Sequence, residues 1–450
     1  MKKITSILKN KEIMNRLLFT VLILFIFRIG CQITVPGASI QSDDLSSYLS
    51  GNNALALMNI LGGGTLQTFS IFALGVSPYI TAQIIVQLLS TDVLPALSEL
   101  KRQGQYGRKK MEMATRYLTL MLGAVQAYGI IRTMETSNLV TFDAGDYPWL
   151  TYVYIVIVML AGSMIVMWLG DQISVKGIGN GISMIIFAGI VCSLPNQIST
   201  AFQKWILGAN PGDSAQIAGV FSFLLYIFSF LVIISFVTFV ELSKRKIPVQ
   251  HSGKGGGQTQ SMAKASFLPI KINSAGVIPV IFASSIMTAP SIIVAFVGGD
   301  TNAEWLHVFS SSQMTDMGSW SMPWGLIIYL ALTIMFTFFY ANLQINPEQL
   351  AENFQKNGSY IPGVRPGIET ERYVRKVLNR VTFIGAMALA IIAALPSVLT
   401  LTLFQDYPSL ALGGTGLIIV VGVALEVNSQ IDGLLAGKSF EEVVAAGGRE

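Results

Sequence analysis

Long apolar runs follow one another down the chain, separated by short polar gaps, and the runs have the length of membrane helices. Ten can be marked, centred on 17–33, 71–89, 117–131, 152–169, 182–194, 217–240, 277–297, 324–343, 382–401 and 412–427. A helix needs about 20 mostly apolar residues to cross the hydrocarbon, and most of the runs reach or approach that. The run at 182–194 is short and flanked by glycine, so its helix is expected to extend further. The predicted fold class is therefore an all-α polytopic membrane protein of ten transmembrane helices.

Charge adds orientation. Basic residues fall in alternate gaps: Lys2 to Arg16, Lys101 to Arg116, Lys176, Lys244 to Lys271, Lys356 to Arg380, and Lys438 with Arg449. Of the remaining basic residues, Arg132 and Lys204 lie in the other gaps, which carry Asp43, Asp44, Glu135, Asp143, Asp146, Asp213, Asp300, Glu304, Asp316 and Asp406. Because Lys and Arg near span ends are retained in the cytoplasm, the alternation places both termini inside and makes the span count even. Ten spans divide into two sets of five, about 1–207 and 208–450, and an odd number per set inverts the second relative to the first. A central pore between the halves would follow. Between spans six and seven lies a lobe, 241–271, with a soft glycine-rich middle at 253–258. The second half carries a further lobe, 344–380, and a tail, 428–450.

Composition agrees: 52% of the 450 residues are hydrophobic and 12% charged, against about a quarter charged in soluble proteins. The net charge of +4 is modest, but its segregation makes basic lobes suited to anionic lipid, an acidic protein or RNA. The first apolar run lacks a small-residue cleavage site and reads as a retained helix. Cys31 and Cys192 both lie in apolar segments, which predicts buried thiols without a disulfide framework.

The spans carry few ionisable groups. Arg28 and Glu426, each near a span end, are expected to snorkel to an interface, and ion-coupled transport normally needs carboxylates or histidines at mid-depth. That argues against the alternative reading, a small-solute secondary transporter. The two histidines, His251 and His307, fall in loops on opposite sides, so neither a metal site nor an intramembrane hydrolase can be assembled from them. Gly177-Ile178-Gly179-Asn180-Gly181 lacks the spacing and preceding strand of a dinucleotide loop, and Ser252-Gly253-Lys254-Gly255-Gly256 is no phosphate loop. No enzyme activity, cofactor or metal is expected.

Two segments break the span-and-gap scheme. Residues 57–69 are apolar, too short to cross, and interrupted by Gly62, Gly63 and Gly64, which cost a helix about 1 kcal/mol each relative to alanine. In the second lobe, Pro347 to Asn353 reads as a helix start with an early proline. It is followed by Ile361-Pro362-Gly363-Val364-Arg365-Pro366-Gly367, a rigid turn presenting Arg365.

Several stretches, in order from first span to last, carry a resemblance: Phe27-Arg28-Ile29-Gly30, Ser70 to Ile80, Gly177 to Ser183, Ala275 to Pro279, Phe282 to Ser285, Pro362 to Gly367 and Gly413-Gly414-Thr415. The chain resembles the SecY/Sec61-alpha family of protein-conducting channels. That resemblance implies a channel that passes unfolded secretory chains and releases apolar segments sideways into lipid, in the cytoplasmic membrane of a bacterium. It implies a pore ring of Val76, Ile80, Ile182, Ile186, Ile281 and Ile419, which can close and dewet without binding the chain it passes. It implies a plug including Asn59, Ile60, Leu61, Gly62, Gly63, Gly64 and Thr65, weakly structured and cheap to displace. The lateral gate would lie between the second and seventh spans, with Thr81, Gln83, Gln87 and Asn273 as its polar groups and a Gln87–Asn273 hydrogen bond across the closed seam. Arg365, with Lys244, Arg245 and Lys246, would dock the SecA motor ATPase or the ribosome. SecE and SecG would complete the complex, with secretory preproteins, their signal sequences and membrane lipid as further partners.

Overall fold

A computed structural model of the chain describes residues 10–40, 59, 62–90, 99–100, 103, 105–136, 139–142, 148–207, 214–251, 266–297, 304–309, 315–317, 320–402 and 413–447. Ten long or apolar helices follow one another: α1 Lys11–Gly30, α2 Ser77–Leu89, α3 Gln105–Thr136, α4 Pro148–Lys176, α5 Gly181–Phe202, α6 Ser214–Leu242, α7 Ile278–Val297, α8 Trp324–Gln344, α9 Ile368–Thr402 and α10 Gly413–Gly447. Among the described residues, seven are long and apolar enough by themselves to cross a membrane. The remaining three are α2, with 13 residues, α7, an apolar helix of 20 residues described throughout over 278–291, and α3, which is long but more polar. The predicted extension of the fifth helix is observed, from Gly181 to Phe202 with a π-helical turn to Leu207.

Exposed large side chains such as Phe25 and Ile26 of α1, Trp168 of α4, and Leu224 and Phe228 of α6 lie on the outside of this bundle, as a lipid-facing surface requires, since lipid tails are as apolar as leucine. One hydrophobic cluster fills the interior and takes residues from every long helix except α3. A second cluster packs Ala127, Ile130, Ile131 and Met134 of α3 and Ile155 and Met159 of α4 against Leu66, Phe69, Ala73 and Leu74.

Small β-structures, unpredicted by the apolar runs, tie the ends. Strand β1 (Ala38–Ile40) pairs antiparallel with β2 (Val140–Phe142). Beyond α6, β3 (Lys244–His251) pairs with β4 (Ser266–Lys271). Two residues of β3, Gln250 and His251, also pair with Tyr360 and Ser359 of the second lobe. The two basic gaps, expected as separate lobes, thus form one three-stranded sheet. Under it lies a small core of Ile247, Ile270, Ile361, Val374, Leu378 and Val381. The predicted helix start is a helix at Pro347–Lys356, capped by Asn346, whose side-chain oxygen accepts from the Glu348 and Gln349 amides at 3.1 and 3.4 Å.

Candidate functional site: an aliphatic waist above a glycine tip

Helix α2 starts at Ser77 with Pro78 in its first turn, where a proline's missing N–H is no loss. Val76 and Ile80 lie one turn apart at this start, both buried. In α5 the cap is Asn180, whose side-chain oxygen accepts from the Ile182 and Ser183 amides. Ile182, Ile186 and Gly189 then fall on one face, at spacings of four and three. Val76, Ile80, Ile186 and Ile419 are all buried in the interior cluster, and Ile182 and Ile281 pack against it. The six aliphatic residues, drawn from α2, α5, α7 and α10, therefore belong to or pack against the same interior cluster and do not lie on the outside.

The glycine segment sits directly beside this group. Gly63 and Gly64 take φ of +78° and +85°, which glycine adopts at little cost. A Cβ on Gly63 would lie 2.7 Å from Cα of Gly189, and one on Gly189 would lie 2.8 Å from Cα of Gly63. Two backbones in such contact exclude any side chain at either position. A Cβ on Gly75, just before Val76, would lie 3.2 Å from Cα of Gly62. The tip thus touches the chain one residue from Val76 and one turn from Ile186.

The segment is less loose than its glycines suggest. Asn59 folds it back on itself: its carbonyl accepts from the Gly64 amide at 2.7 Å, and its side-chain oxygen accepts from the Leu66 and Gln67 amides at 3.1 and 3.0 Å. Thr65, Leu66 and Phe69 are fully buried. Thr68 donates its hydroxyl to the Cys31 carbonyl at 3.0 Å, and the Val35 amide donates to the Phe69 carbonyl at 3.0 Å. The expected low cost of displacement therefore applies at most to the tip, since moving Thr65 to Ser70 would break these bonds and empty the second cluster. Ile60 and Leu61 lie outside the described residues, as does the glycine-rich middle at 253–258.

Arg28 corrects another expectation. It does not snorkel outward; its Nη1 donates to the Gly63 carbonyl at 2.8 Å. Cys31 is buried as expected, but Cys192 is exposed.

The expected Gln87–Asn273 bond is not formed. Tyr340 of α8 donates its hydroxyl to the Gln87 side-chain oxygen at 2.9 Å. Asn273 instead donates its amide to the Glu241 carboxylate and, at 3.1 Å, to the Gly276 carbonyl. Asn273 lies on the loop before α7 and is held to the end of α6, while Tyr340 packs edge-on against Phe282 of α7, ring centroids 4.8 Å apart. Thr81 donates to the Ser77 carbonyl of its own helix, and Gln83 is exposed. Sequence reasoning missed Tyr340; its bond to Gln87 joins residues 253 positions apart.

The Gly177–Gly181 loop has its amides occupied by side chains. Ile178 donates to Thr20 Oγ1 at 3.1 Å, Gly179 to Gln430 Oε1 at 2.8 Å and Gly181 to Ser174 Oγ at 2.8 Å. It is a joint between α1, α4, α5 and α10, and not a phosphate cradle. Lys244, Arg245, Lys246 and Arg365 are all exposed on the sheet-bearing lobe. The Arg365 turn is fixed by Gly363 and Gly367 at φ +81° and +98° and by Thr370 donating to the Arg365 carbonyl at 2.8 Å.

The SecY family profile matches residues 70–428. The chain is 41% identical to the protein translocase subunit SecY of Mycoplasma capricolum over 447 residues, 98% of this chain and 91% of that one. It is 42% identical to that of Streptococcus gordonii, covering 98% and 97%. Among solved structures, one described as a protein-conducting channel superposes with a TM-score of 0.63 at 19% identity, covering 94% of this chain and 92% of that chain. Sec61 from the canine ribosome–channel complex superposes with a TM-score of 0.60 at 19% identity and the same coverage. Fold, sequence and profile agree: this chain belongs to the SecY family, the channel-forming subunits of the Sec protein translocase.

Proposed function

We propose that the six aliphatic residues Val76, Ile80, Ile182, Ile186, Ile281 and Ile419 form the waist through which this channel passes polypeptide, and that the segment around Gly62–Gly64 plugs it. The observation that carries this reading is the contact of the Gly63 backbone with Gly189, one turn along α5 from Ile186. Plug and waist then stand in series on one path. An aliphatic waist presents no hydrogen-bond partners, so a polar backbone slides through without being held, while a narrow apolar constriction empties of water and opposes ions. A charge at mid-bilayer costs about 2.5–3.5 kcal/mol on insertion scales, so secretory chains take the wet path and sufficiently apolar segments leave for lipid.

The exit is placed between α2 and α7, with the Tyr340–Gln87 bond and the Asn273–Glu241–Gly276 contacts on either side of it. The halves 1–207 and 208–450 are read as inverted repeats flanking the waist. Both termini and the basic sheet-bearing lobe face the cytoplasm, where Arg365, Lys244, Arg245 and Lys246 offer fixed positive charge to SecA or the ribosome. SecE and SecG accompany the chain in the bacterial cytoplasmic membrane.

The test is cysteine crosslinking in a translocase holding a half-translocated precursor. Cysteines at Ile186 and Ile281 should crosslink to the precursor, while cysteines at the exposed Phe25 and Leu224 should not. Crosslinks at the exposed pair alone would refute the waist. Charge reversal Arg365→Glu should cut motor- or ribosome-driven transport at least tenfold, with basal ion leakage unchanged.

A further inference from the structure

Among the described residues, the tip Gly62–Gly64 receives one side-chain hydrogen bond from another helix, the 2.8 Å bond from Arg28 to the Gly63 carbonyl. Everything around Arg28 fixes its position. On one side Phe27, 2% exposed, stacks on Phe72 with ring centroids 6.0 Å apart and planes 7° from parallel. On the other, Gly30 is so close to the Phe72 ring that a Cβ there would collide with it. Beyond α1, the Ile33 carbonyl accepts from the Ile71 amide at 2.9 Å, and Thr34 bridges to Ser70. The end of α1 and the stretch from Thr68 to Phe72 are thus one bonded unit.

The tip belongs to that unit through the chain and through Arg28, while its other face rests on Gly189 by contact alone. An arginine on a membrane helix is costly unless partnered, and here its partner is a carbonyl in a segment that must move for the path to open. A guanidinium–carbonyl bond away from bulk water is stronger than a neutral one, and as a single bond to the tip it is either made or released. We propose that Arg28 is the latch of the closed channel: it holds the Gly63 carbonyl, keeps the glycine tip seated on α5, and sets how often the tip leaves when no chain is passing. This rests on the plug reading above. Arg28 is a positioning residue, since it acts through the tip and not on the translocating chain.

The experiment uses the complete translocase in proteoliposomes and reads ion leakage without precursor for wild type, Arg28→Gln, Arg28→Lys, a deletion of Gly62–Gly64, and the deletion combined with Arg28→Gln. Glutamine keeps a donor but loses the charge and reach, and its leakage should rise about tenfold. Lysine keeps the charge without the fixed fork, and its leakage should rise about threefold. The combined variant should leak no more than the deletion alone, because a latch has nothing to hold once the tip is gone.

If the deletion leaks and Arg28→Gln does not, the latch is refuted and the plug stands. If the two changes add in the combined variant, Arg28 supports the helix generally and the latch is again refuted. If the deletion itself leaves leakage unchanged, the plug reading falls first and the latch with it. Should Arg28→Gln fail to assemble, Arg28→Lys decides alone, and wild-type leakage in that variant overturns the proposal.

Discussion

In the function proposed above, the waist and the glycine segment beside it would close the same path by opposite means. Val76, Ile80, Ile186 and Ile419 sit in an interior cluster held by dispersion and burial, without direction. The stretch from Gly62 to Ser70 is held by directed bonds to Asn59 and to the end of α1 and by a glycine–glycine contact with no room to spare. A closure made of aliphatic contacts can stretch around any passing chain and lose energy gradually. One made of named bonds is either seated or gone. Arranged in series as proposed, they would give a channel both a tolerant throat and a stopper with two states.

The largest effect expected to test this contrast is chemical. Cys31 is 1% exposed, packed where the end of α1 meets the plug segment. Reagent reaches its sulfur only when that packing opens, so a Cys192→Ser protein should be alkylated at Cys31 about a hundredfold more slowly than an exposed thiol. Rapid alkylation of the intact protein would show that the unit formed by α1 and the plug segment is open.

Next in size is Gly189→Val. The new side chain must push the Gly63 backbone away, at a cost of about 1–3 kcal/mol, and leakage should rise at least tenfold. By contrast Ile186→Leu, one turn away, keeps volume and costs under about 1.5 kcal/mol; its leakage should stay within about twofold of wild type. Equal leakage in the two variants would erase the distinction between directed and undirected closure.

The smallest effect separates the two pairings at the seam. In double-mutant cycles on precursor insertion, Gln87→Ala should couple to Tyr340→Phe by about 0.6 kcal/mol, a typical value for a bond between membrane helices. Coupling to Asn273→Ala should be near zero. The reverse pattern would restore the Gln87–Asn273 bond that sequence reasoning expected.

The helices were legible because an apolar run of membrane length has few other uses, and the helix starting at Pro347 because Asn346 and Pro347 supply its cap and first turn. The aliphatic set was drawn from the resemblance, and its members lie in or against the interior cluster. Arg28 was not: a sequence gives the depth of a charge in a helix but not which way it faces, and the direction is set by Phe27 and Gly30 packing on Phe72. Tyr340 was missed because one tyrosine in an apolar run resembles any other until Gln87 is brought beside it. The strands were missed for a related reason, since β3 finds Ser359 and Tyr360 more than a hundred residues away, and short strands between helices carry little pattern of their own.

That last pairing has a mechanical consequence. Strand β3 leaves α6 directly, β4 ends at Lys271 shortly before α7, and the paired residues Ser359 and Tyr360 stand just ahead of α9. A body that grips this sheet would hold a handle shared by α6, α7 and α9, all in the second half of the chain, so a push delivered there would move those three helices as one.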